Sequence, residues 1–227
     1  MLVAIPEVLS PQAAAELREQ IAAEDWIDGN ATSGAGAASV KRNRQLAENA
    51  QATHRAQAQV SAALMDNSVF LSAALPHSVF PPLFNRYGPG DGFGLHVDNA
   101  IRFHAETGAR IRTDLSCTLF LTDPAEYEGG ELEIEGQFGM ARYKLPAGHA
   151  LLYPSTSLHQ VTPVTAGTRI SCFFWLQSLV ADHTAREMLY DLDQTVQTLS
   201  AERGKSDAQV LRLTAIYHNL VRRWAQV

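Results

Sequence analysis

A histidine and an aspartate lie two residues apart in the segment GFGLHVDNA, residues 92–100. The residues that lead into it, NRYGPGDGFG, are rich in turn formers and predict a β-strand that emerges from a loop. Successive side chains of a strand point to opposite faces, so His96 and Asp98 would share one face. Leu95 and Val97 would lie on the other. The polar face is either a pair of metal ligands or a surface in contact with water.

A second histidine, His159, follows 63 residues after His96 in the segment YPSTSLHQV. Strands that are distant in sequence lie side by side in a jelly roll, so His159 can face the same cavity as His96 and Asp98. Two imidazoles and one carboxylate form the facial triad that holds non-haem Fe(II) and leaves coordination positions open. The three residues therefore predict an iron site with room for a chelating co-substrate and for O2.

An arginine, Arg169, comes ten residues after His159 in the predicted strand TRISCFF, where it shares a face with Ser171 and Phe173. An arginine on an interior face is costly unless it meets an anion. A dicarboxylate that chelates iron at one end would offer its other carboxylate to this guanidinium, and bidentate pairing would fix its orientation. Together, the triad and the arginine predict a 2-oxoglutarate site.

Three zones of the chain would position these residues. The first, residues 1–77, is predicted to contain a short strand, LVAI, and a helix with Ser10 as its N-cap and Pro11 in its first turn. A small-residue loop, GNATSGAGAAS at residues 29–39, precedes a second helical segment, ATHRAQAQVSAALMDN. Residues 1–77 are therefore expected to form a supporting region of helices and a strand around the domain that carries the site.

The second zone, residues 78–178, alternates short β-prone runs with turn signals, which is typical of an antiparallel sandwich or jelly roll. The third, residues 179–227, has two helical segments separated by Gly204 and Lys205. The predicted fold class is α+β: a jelly-roll core, the double-stranded β-helix, with N-terminal helices and a C-terminal helical extension. The apolar stripe of the C-terminal helices would bury against the β core or against another subunit.

Three segments resemble those of the Fe(II)/2-oxoglutarate dioxygenases: YGPGDGFGLHVD, the EYEGGELEI hairpin and LPAGHALLYPSTSLHQVTPVTAGTRIS. The sequence is most similar to the bacterial prolyl/lysyl-hydroxylase-like PKHD-type group, which includes hydroxylases associated with iron uptake. The resemblance extends over essentially the whole chain, including VKRNRQL and the helical C-terminal extension. It implies the double-stranded β-helix fold and dependence on iron, 2-oxoglutarate and ascorbate.

The resemblance also assigns roles to residues. His96, Asp98 and His159 match the iron ligands of the family. Arg169 matches the residue that holds 2-oxoglutarate, and Tyr87 resembles the tyrosine that often helps to bind this co-substrate. The activity so implied is a hydroxylase that couples oxidative decarboxylation of 2-oxoglutarate to hydroxylation of a peptidyl prolyl or lysyl residue, or of a small molecule such as a siderophore.

The alternative is a jelly roll that is not an oxygenase, such as a cupin-like metal enzyme or a metal-bound sensing module. Cupin sites usually show closely spaced histidines and a glutamate, and GFGLHVDNA does not have that pattern. A simple isomerase or hydrolase site also needs no second anion anchor at the position of Arg169. The oxygenase is therefore the favoured interpretation.

Composition narrows the setting. The 227 residues are 46% hydrophobic and 19% charged, as in a globular protein, and the net charge of −6 argues against a general nucleic-acid binder. The sequence has no stretch of the length that crosses a membrane and no signal-peptide pattern, so the expected location is cytoplasmic. Cys117 and Cys172 are expected to be buried free thiols rather than a disulfide.

A dense basic cluster is formed by Lys41, Arg42 and Arg44. It is either a solvated surface segment or a patch that faces the substrate, next to the 29–39 loop. In the second case residues 29–44 would close over the site as a lid.

Glu131, Glu133 and Glu135 alternate with apolar residues and are expected to form a solvated strand face, although paired acids for acid–base chemistry are conceivable there. The remaining histidines lack a partner at ligand spacing and are expected on the surface or in the core. They are His54, His77, His104, His149, His183 and His218.

Overall fold

The computed structural model describes residues 1–32, 39–104, 108 and 110–227. Within these residues two antiparallel sheets form the predicted jelly roll, and their strands are numbered in chain order. The larger sheet has eight strands. Its order is β1 (Val3–Ile5), β14 (Ala150–Pro154), β10 (Leu115–Phe120), β17 (Arg169–Ser178), β6 (Leu83–Tyr87), β4 (Arg44–Leu46) and β2 (Trp26–Asp28), with β5 (Pro76–Val79) also paired to β17.

The smaller sheet has five strands. Its order is β13 (Gly139–Tyr143), β12 (Leu132–Gly136), β15 (His159–Val161), β7 (Gly92–His96) and β3 (Lys41–Arg42). Two further ribbons pair β11 (Tyr127–Gly129) with β16 (Val164–Gly167), and β8 (Ile101–Phe103) with β9 (Arg110–Arg112).

Strand β10 shows how the larger sheet separates the core from the site. All six of its residues are buried because both of its faces are covered. Leu115 and Leu119 pack into the apolar cluster on the helical side, whereas Ser116 and Thr118 line a cavity between the two sheets. The period of two along a strand therefore divides the apolar core from a polar interior surface.

The N-terminal helices cover the outer face of the larger sheet. They are Pro11–Ala22, Gln51–Asp66 and Ser68–Ala74. The predicted N-cap is confirmed, because the Ser10 hydroxyl accepts a hydrogen bond of 3.1 Å from the backbone N–H of Ala13. Cys117 and Cys172 are buried in the apolar cluster beneath these helices and are free.

The C-terminal extension is the predicted pair of helices, His183–Arg203 and Ala208–Trp224. Leu189 is fully buried and packs with Leu75 and Val180, so one face of the pair rests on the body of the protein. Met188, Leu211 and Ile216 are largely exposed on these helices. In the part of the chain that the structure describes, no helix has the length and apolar character needed to cross a membrane.

Two local predictions are wrong. EYEGGELEI is not a hairpin, because β11 pairs with β16 while β12 pairs with β13 and β15. The intervening Gly129 and Gly130 both have positive φ, which lets the chain turn from the ribbon into the sheet.

The predicted solvent-exposed face of carboxylates is wrong for Glu133, which is buried and forms an ion pair of 2.7 Å with Arg142. Its neighbours on both adjacent strands, Arg142 and Gln160, cover it.

The three zones do not form separate sheets. Strands β1, β2 and β4, from the first zone, belong to the larger sheet of the core. The division of the chain at residues 77 and 178 stays a prediction.

Candidate active site

Three side chains of the types that bind metals meet in the cavity between the sheets. His96 ends β7 and lies directly opposite His159, the first residue of β15, so that the two ring centroids are 4.2 Å apart. One ligand atom from each of His96, Asp98 and His159 lies within 4.8 Å of the others. Asp98 is two residues beyond the end of β7, so the prediction that one strand carries both residues is wrong. The side-chain alternation nevertheless continues, because Leu95 and Val97 are about half exposed, at 50% and 51%.

Both histidines present the nitrogen that a metal needs. His96 Nδ1 donates a hydrogen bond of 2.8 Å to the carbonyl of Gly94, and His159 Nδ1 donates one of 3.0 Å to the carbonyl of Ser157. Because a carbonyl can only accept, each Nδ1 carries a hydrogen, and in the neutral form of each ring the lone pair that a metal binds is therefore on Nε2. Burial, followed by the nearby His159, lowers the pKa of His96 to about 4, so the ring is neutral at pH 7.

Asp98 is oriented by two buried serines that sequence reasoning missed. The Ser116 hydroxyl donates a hydrogen bond of 2.6 Å to Asp98 Oδ2, and the Ser155 hydroxyl lies 2.7 Å from that of Ser116. Since the single hydrogen of Ser116 goes to the carboxylate, Ser155 is the donor to Ser116. The only feature of the sequence that could have indicated this contact is the polar Ser116 within the otherwise largely apolar strand LSCTLF.

Replacing Ser116 with alanine is expected to lower the metal affinity by about 10- to 100-fold, because the carboxylate loses the contact that orients it. An anaerobic Fe(II) titration of the folded protein measures this. Ser155→Ala is the matched variant and should lose less, since Ser155 acts through Ser116. Equal affinity in Ser116→Ala and the unaltered protein would show that Asp98 needs no such support.

Arg169 is a buried cation that has no anionic partner among the residues that the structure describes. It is 1% exposed, and Nη1 donates a hydrogen bond of 2.8 Å to Ser171, which in turn donates to Asn85. Its Nε has no hydrogen-bond partner, and none of the ion pairs found in the described residues involves it. A guanidinium buried in this way is costly unless a ligand supplies the anion.

Tyr87 lies beside Arg169 on the adjacent strand. The two residues are opposite each other in the antiparallel register of β6 and β17, and the guanidinium carbon is 5.2 Å from the centre of the phenol ring. Burial raises the pKa of Tyr87, so its hydroxyl stays protonated at neutral pH and can donate a hydrogen bond. Both residues line the cavity that also contains the two histidines and the aspartate.

The basic cluster is divided by the fold. Arg42 and Arg44 are exposed, but Lys41 is buried, lines the cavity and donates a hydrogen bond of 2.6 Å to the carbonyl of Gly29. The solvated-surface interpretation is therefore wrong for Lys41, because the side chains of β3 alternate between the interior and solvent. The proposed lid includes residues 33–38, which lie outside the described residues.

The donor set fits Fe(II) and a chelating dicarboxylate. Two imidazoles and one carboxylate are the ligands of the non-haem iron triad, and three ligands leave three octahedral positions free. The guanidinium of Arg169 lies in the same cavity, and its Nε, which has no hydrogen-bond partner among the described residues, fits the far carboxylate of 2-oxoglutarate. Tyr87 adds a neutral hydrogen-bond donor next to it.

Comparison with known proteins identifies the family. A model of the 2OG-Fe(II) oxygenase superfamily matches residues 82–177, and a model of the PKHD-type hydroxylase C-terminal domain matches residues 183–226. A PKHD-type hydroxylase of Burkholderia thailandensis is 55% identical over 225 residues, and one of Methylobacillus flagellatus is 52% identical over 225 residues. Each of these alignments covers 99% of both chains.

A solved prolyl hydroxylase from Trichoplax adhaerens, in complex with a hypoxia inducible factor peptide fragment, has a similar fold. The TM-score is 0.59 at 14% sequence identity, and the match covers 77% of this chain and 82% of that chain. At this level of identity the similarity concerns the fold alone.

The fold and the matched core define an oxygenase of the Fe(II)/2-oxoglutarate class. Within that class the chain belongs to the PKHD-type hydroxylases, which match it from end to end. It is therefore a hydroxylase that uses Fe(II), 2-oxoglutarate and O2, and the cupin-like alternative is set aside.

Proposed function

We propose that His96, Asp98 and His159 bind the iron of this hydroxylase and that Arg169 and Tyr87 bind 2-oxoglutarate. The observation that carries the proposal is that one cavity contains three converging ligand atoms and a buried arginine for which the described part of the chain provides no counterion. Iron with 2-oxoglutarate and O2 supplies the oxidising power to insert an oxygen atom into a substrate C–H bond, with release of succinate and CO2.

The residues of the chain hold and orient the reactants. The Nδ1 hydrogen bonds to Gly94 and Ser157 direct the two imidazole Nε2 atoms at the metal position. Arg169 is held by Ser171, so its guanidinium has a defined direction before the co-substrate arrives. The aromatic ring of Phe93 stacks on His96, with centroids 3.6 Å apart, and shields one face of this ligand from water. Such preorganisation lowers the cost of binding.

The primary substrate is proposed to be a peptidyl prolyl or lysyl residue, or a small molecule such as a siderophore. The Trichoplax prolyl hydroxylase was solved with a peptide fragment, which supports the first class by analogy of fold only. Three further properties stay predictions: a requirement for ascorbate, a cytoplasmic location and self-association through the C-terminal helices. The exposed Met188, Leu211 and Ile216 support the last of these.

Mass spectrometry tests the proposed reaction. The protein loaded with Fe(II) is incubated with 2-oxoglutarate, ¹⁸O2 and candidates of each class, and a true substrate is expected to gain one labelled oxygen atom. One succinate should form per product. The Asp98→Ala variant is the control without a complete metal site and should form no product. A labelled product that forms equally well in that variant would contradict the proposed site.

A further inference from the structure

Two cations without a role so far are associated with the cavity: Lys41 lines it, and Arg102 packs on Trp175, one of its lining residues. Lys41 forms part of the cavity wall, and its ammonium is 5.5 Å from the centre of the Phe93 ring. Arg102, in the centre of β8, places its guanidinium 4.1 Å from the centre of the Trp175 ring and 5.3 Å from that of Phe80. Trp175 is one of the aromatic residues that line the cavity, so Arg102 packs against the cavity lining.

The alternation along β8 shows that Arg102 is directed inward. Its neighbours Ile101 and Phe103 are largely exposed, whereas Arg102 is partly buried. Burial, followed by the charge of Arg102, lowers the pKa of Lys41 to about 8, so the two cations act on each other. Two like charges in a partly buried position repel each other until an anion joins them.

No carboxylate of the described residues neutralises this pair at close range. Asp28 acts on Lys41, and Asp98 and Glu48 act on Arg102, but the ion pairs within 4 Å in the described ranges include neither cation. The charge of Asp98 is moreover shared with the metal. In the loaded site, the charges of Fe(II) and Arg169 are balanced by Asp98 and the two carboxylates of 2-oxoglutarate. Among the described residues, Asp28 then still faces Lys41 and Glu48 still faces Arg102, but neither carboxylate is within 4 Å of its cation.

We propose that the primary substrate carries an anionic group, in the simplest case a carboxylate, which Lys41 and Arg102 bind while its apolar part packs on Phe173 and Trp175. The inference rests on the proposed function and narrows its substrate class. A cationic lysyl side chain is disfavoured, because like charges brought together at an interface are repelled. A charge-assisted hydrogen bond from each cation would orient the substrate towards the metal.

Lys41 also has a structural contact, since one of its three hydrogens goes to the carbonyl of Gly29. The other two hydrogens of the ammonium are available to an anion in the cavity. Arg102 provides an independent test, because its side chain lies on a ribbon outside the two main sheets. Arg42 is the matched control: it follows Lys41, is exposed, and approaches Asp91 at 3.5 Å.

The test uses three probes of similar shape: benzoate, benzamide and benzylammonium. Each is added to the full-length protein loaded with Mn(II) and saturating 2-oxoglutarate under anaerobic conditions, and the paramagnetic broadening of its ring protons is measured by NMR. We expect benzoate to bind at least about tenfold more tightly than benzamide and benzylammonium to bind most weakly. In Lys41→Met and in Arg102→Met the preference for benzoate should fall to within about twofold, and in Arg42→Met it should persist.

Binding of Mn(II) and of 2-oxoglutarate is measured first in the same samples. If either fails to bind, the proposed function is wrong. If both bind but benzoate shows no preference, including the case in which no probe binds, the anionic substrate is wrong while the proposed function stands. A preference that survives both Lys41→Met and Arg102→Met would place the anion elsewhere, for example on the metal or on Arg169, and would also overturn the inference.

Discussion

Replacing Arg169 with leucine is expected to raise the 2-oxoglutarate concentration needed for turnover by roughly two to three decades or more while Fe(II) stays bound. The three proposed metal ligands are untouched, so metal affinity should not change. The far carboxylate of the co-substrate would lose the buried cation proposed to bind it, and losing one member of a buried charge pair costs about 3–5 kcal/mol. At about 1.4 kcal/mol per decade this is the predicted loss of affinity.

An anaerobic titration measures the effect directly. The Fe(II) protein with 2-oxoglutarate should show a weak visible absorption band from the chelate, and the variant should show it only at much higher 2-oxoglutarate. Arg86→Leu is the matched control, because Arg86 lies between Asn85 and Tyr87 on β6 and its side chain points to the other face. An Arg169→Leu protein with unchanged 2-oxoglutarate affinity would refute the proposed role of this residue.

The Arg169 variant is expected to remain folded. The guanidinium is buried and its Nε has no hydrogen-bond partner among the described residues, so leucine removes a desolvated charge and loses the one hydrogen bond from Nη1 to Ser171. Replacing buried ionic groups with apolar side chains of similar volume is often neutral or stabilising. A thermal unfolding curve therefore separates a defect in co-substrate binding from a defect in folding.

Replacing His96 or Asp98 with alanine is expected to abolish turnover and to lower Fe(II) affinity by more than about 100-fold. Loss of a residue that only orients a ligand already costs about 10- to 100-fold, and loss of the ligand itself costs more. Either change removes one of the three proposed protein ligands and leaves its coordination position open to water. Fe(II) titration under anaerobic conditions and succinate release under air measure the two effects.

The fold should survive both substitutions. His96 and Asp98 are partly buried residues at the end of a strand, outside the apolar clusters of the core. His149→Ala provides the control, because His149 does not line the cavity. Full iron occupancy and activity in His96→Ala or Asp98→Ala would show that the proposed triad is wrong.

The sequence by itself determined the class of fold and the chemistry of the site. Short alternating runs between turn signals predicted the jelly roll, because the period of two along a strand is a local property. The N-cap at Ser10 and the two C-terminal helices could likewise be predicted from neighbouring residues alone. The sequence also identified the candidate site residues, because histidines, an aspartate and an inward arginine are exceptional on strands that enclose a cavity. These residues are His96, Asp98, His159 and Arg169.

The tertiary structure alone decided which side chains support and surround that site. The bonds from Ser116 to Asp98 and from Ser155 to Ser116 join strands and loops that are far apart in sequence. The same holds for the inward position of Lys41 and for the contact of Arg102 with Trp175. Such contacts depend on which strands pair and in which register, and many different pairings are compatible with the same local pattern. Packing of the two sheets against each other is compatible with only one arrangement of strand pairs, and this arrangement determines which side chains surround the proposed metal position.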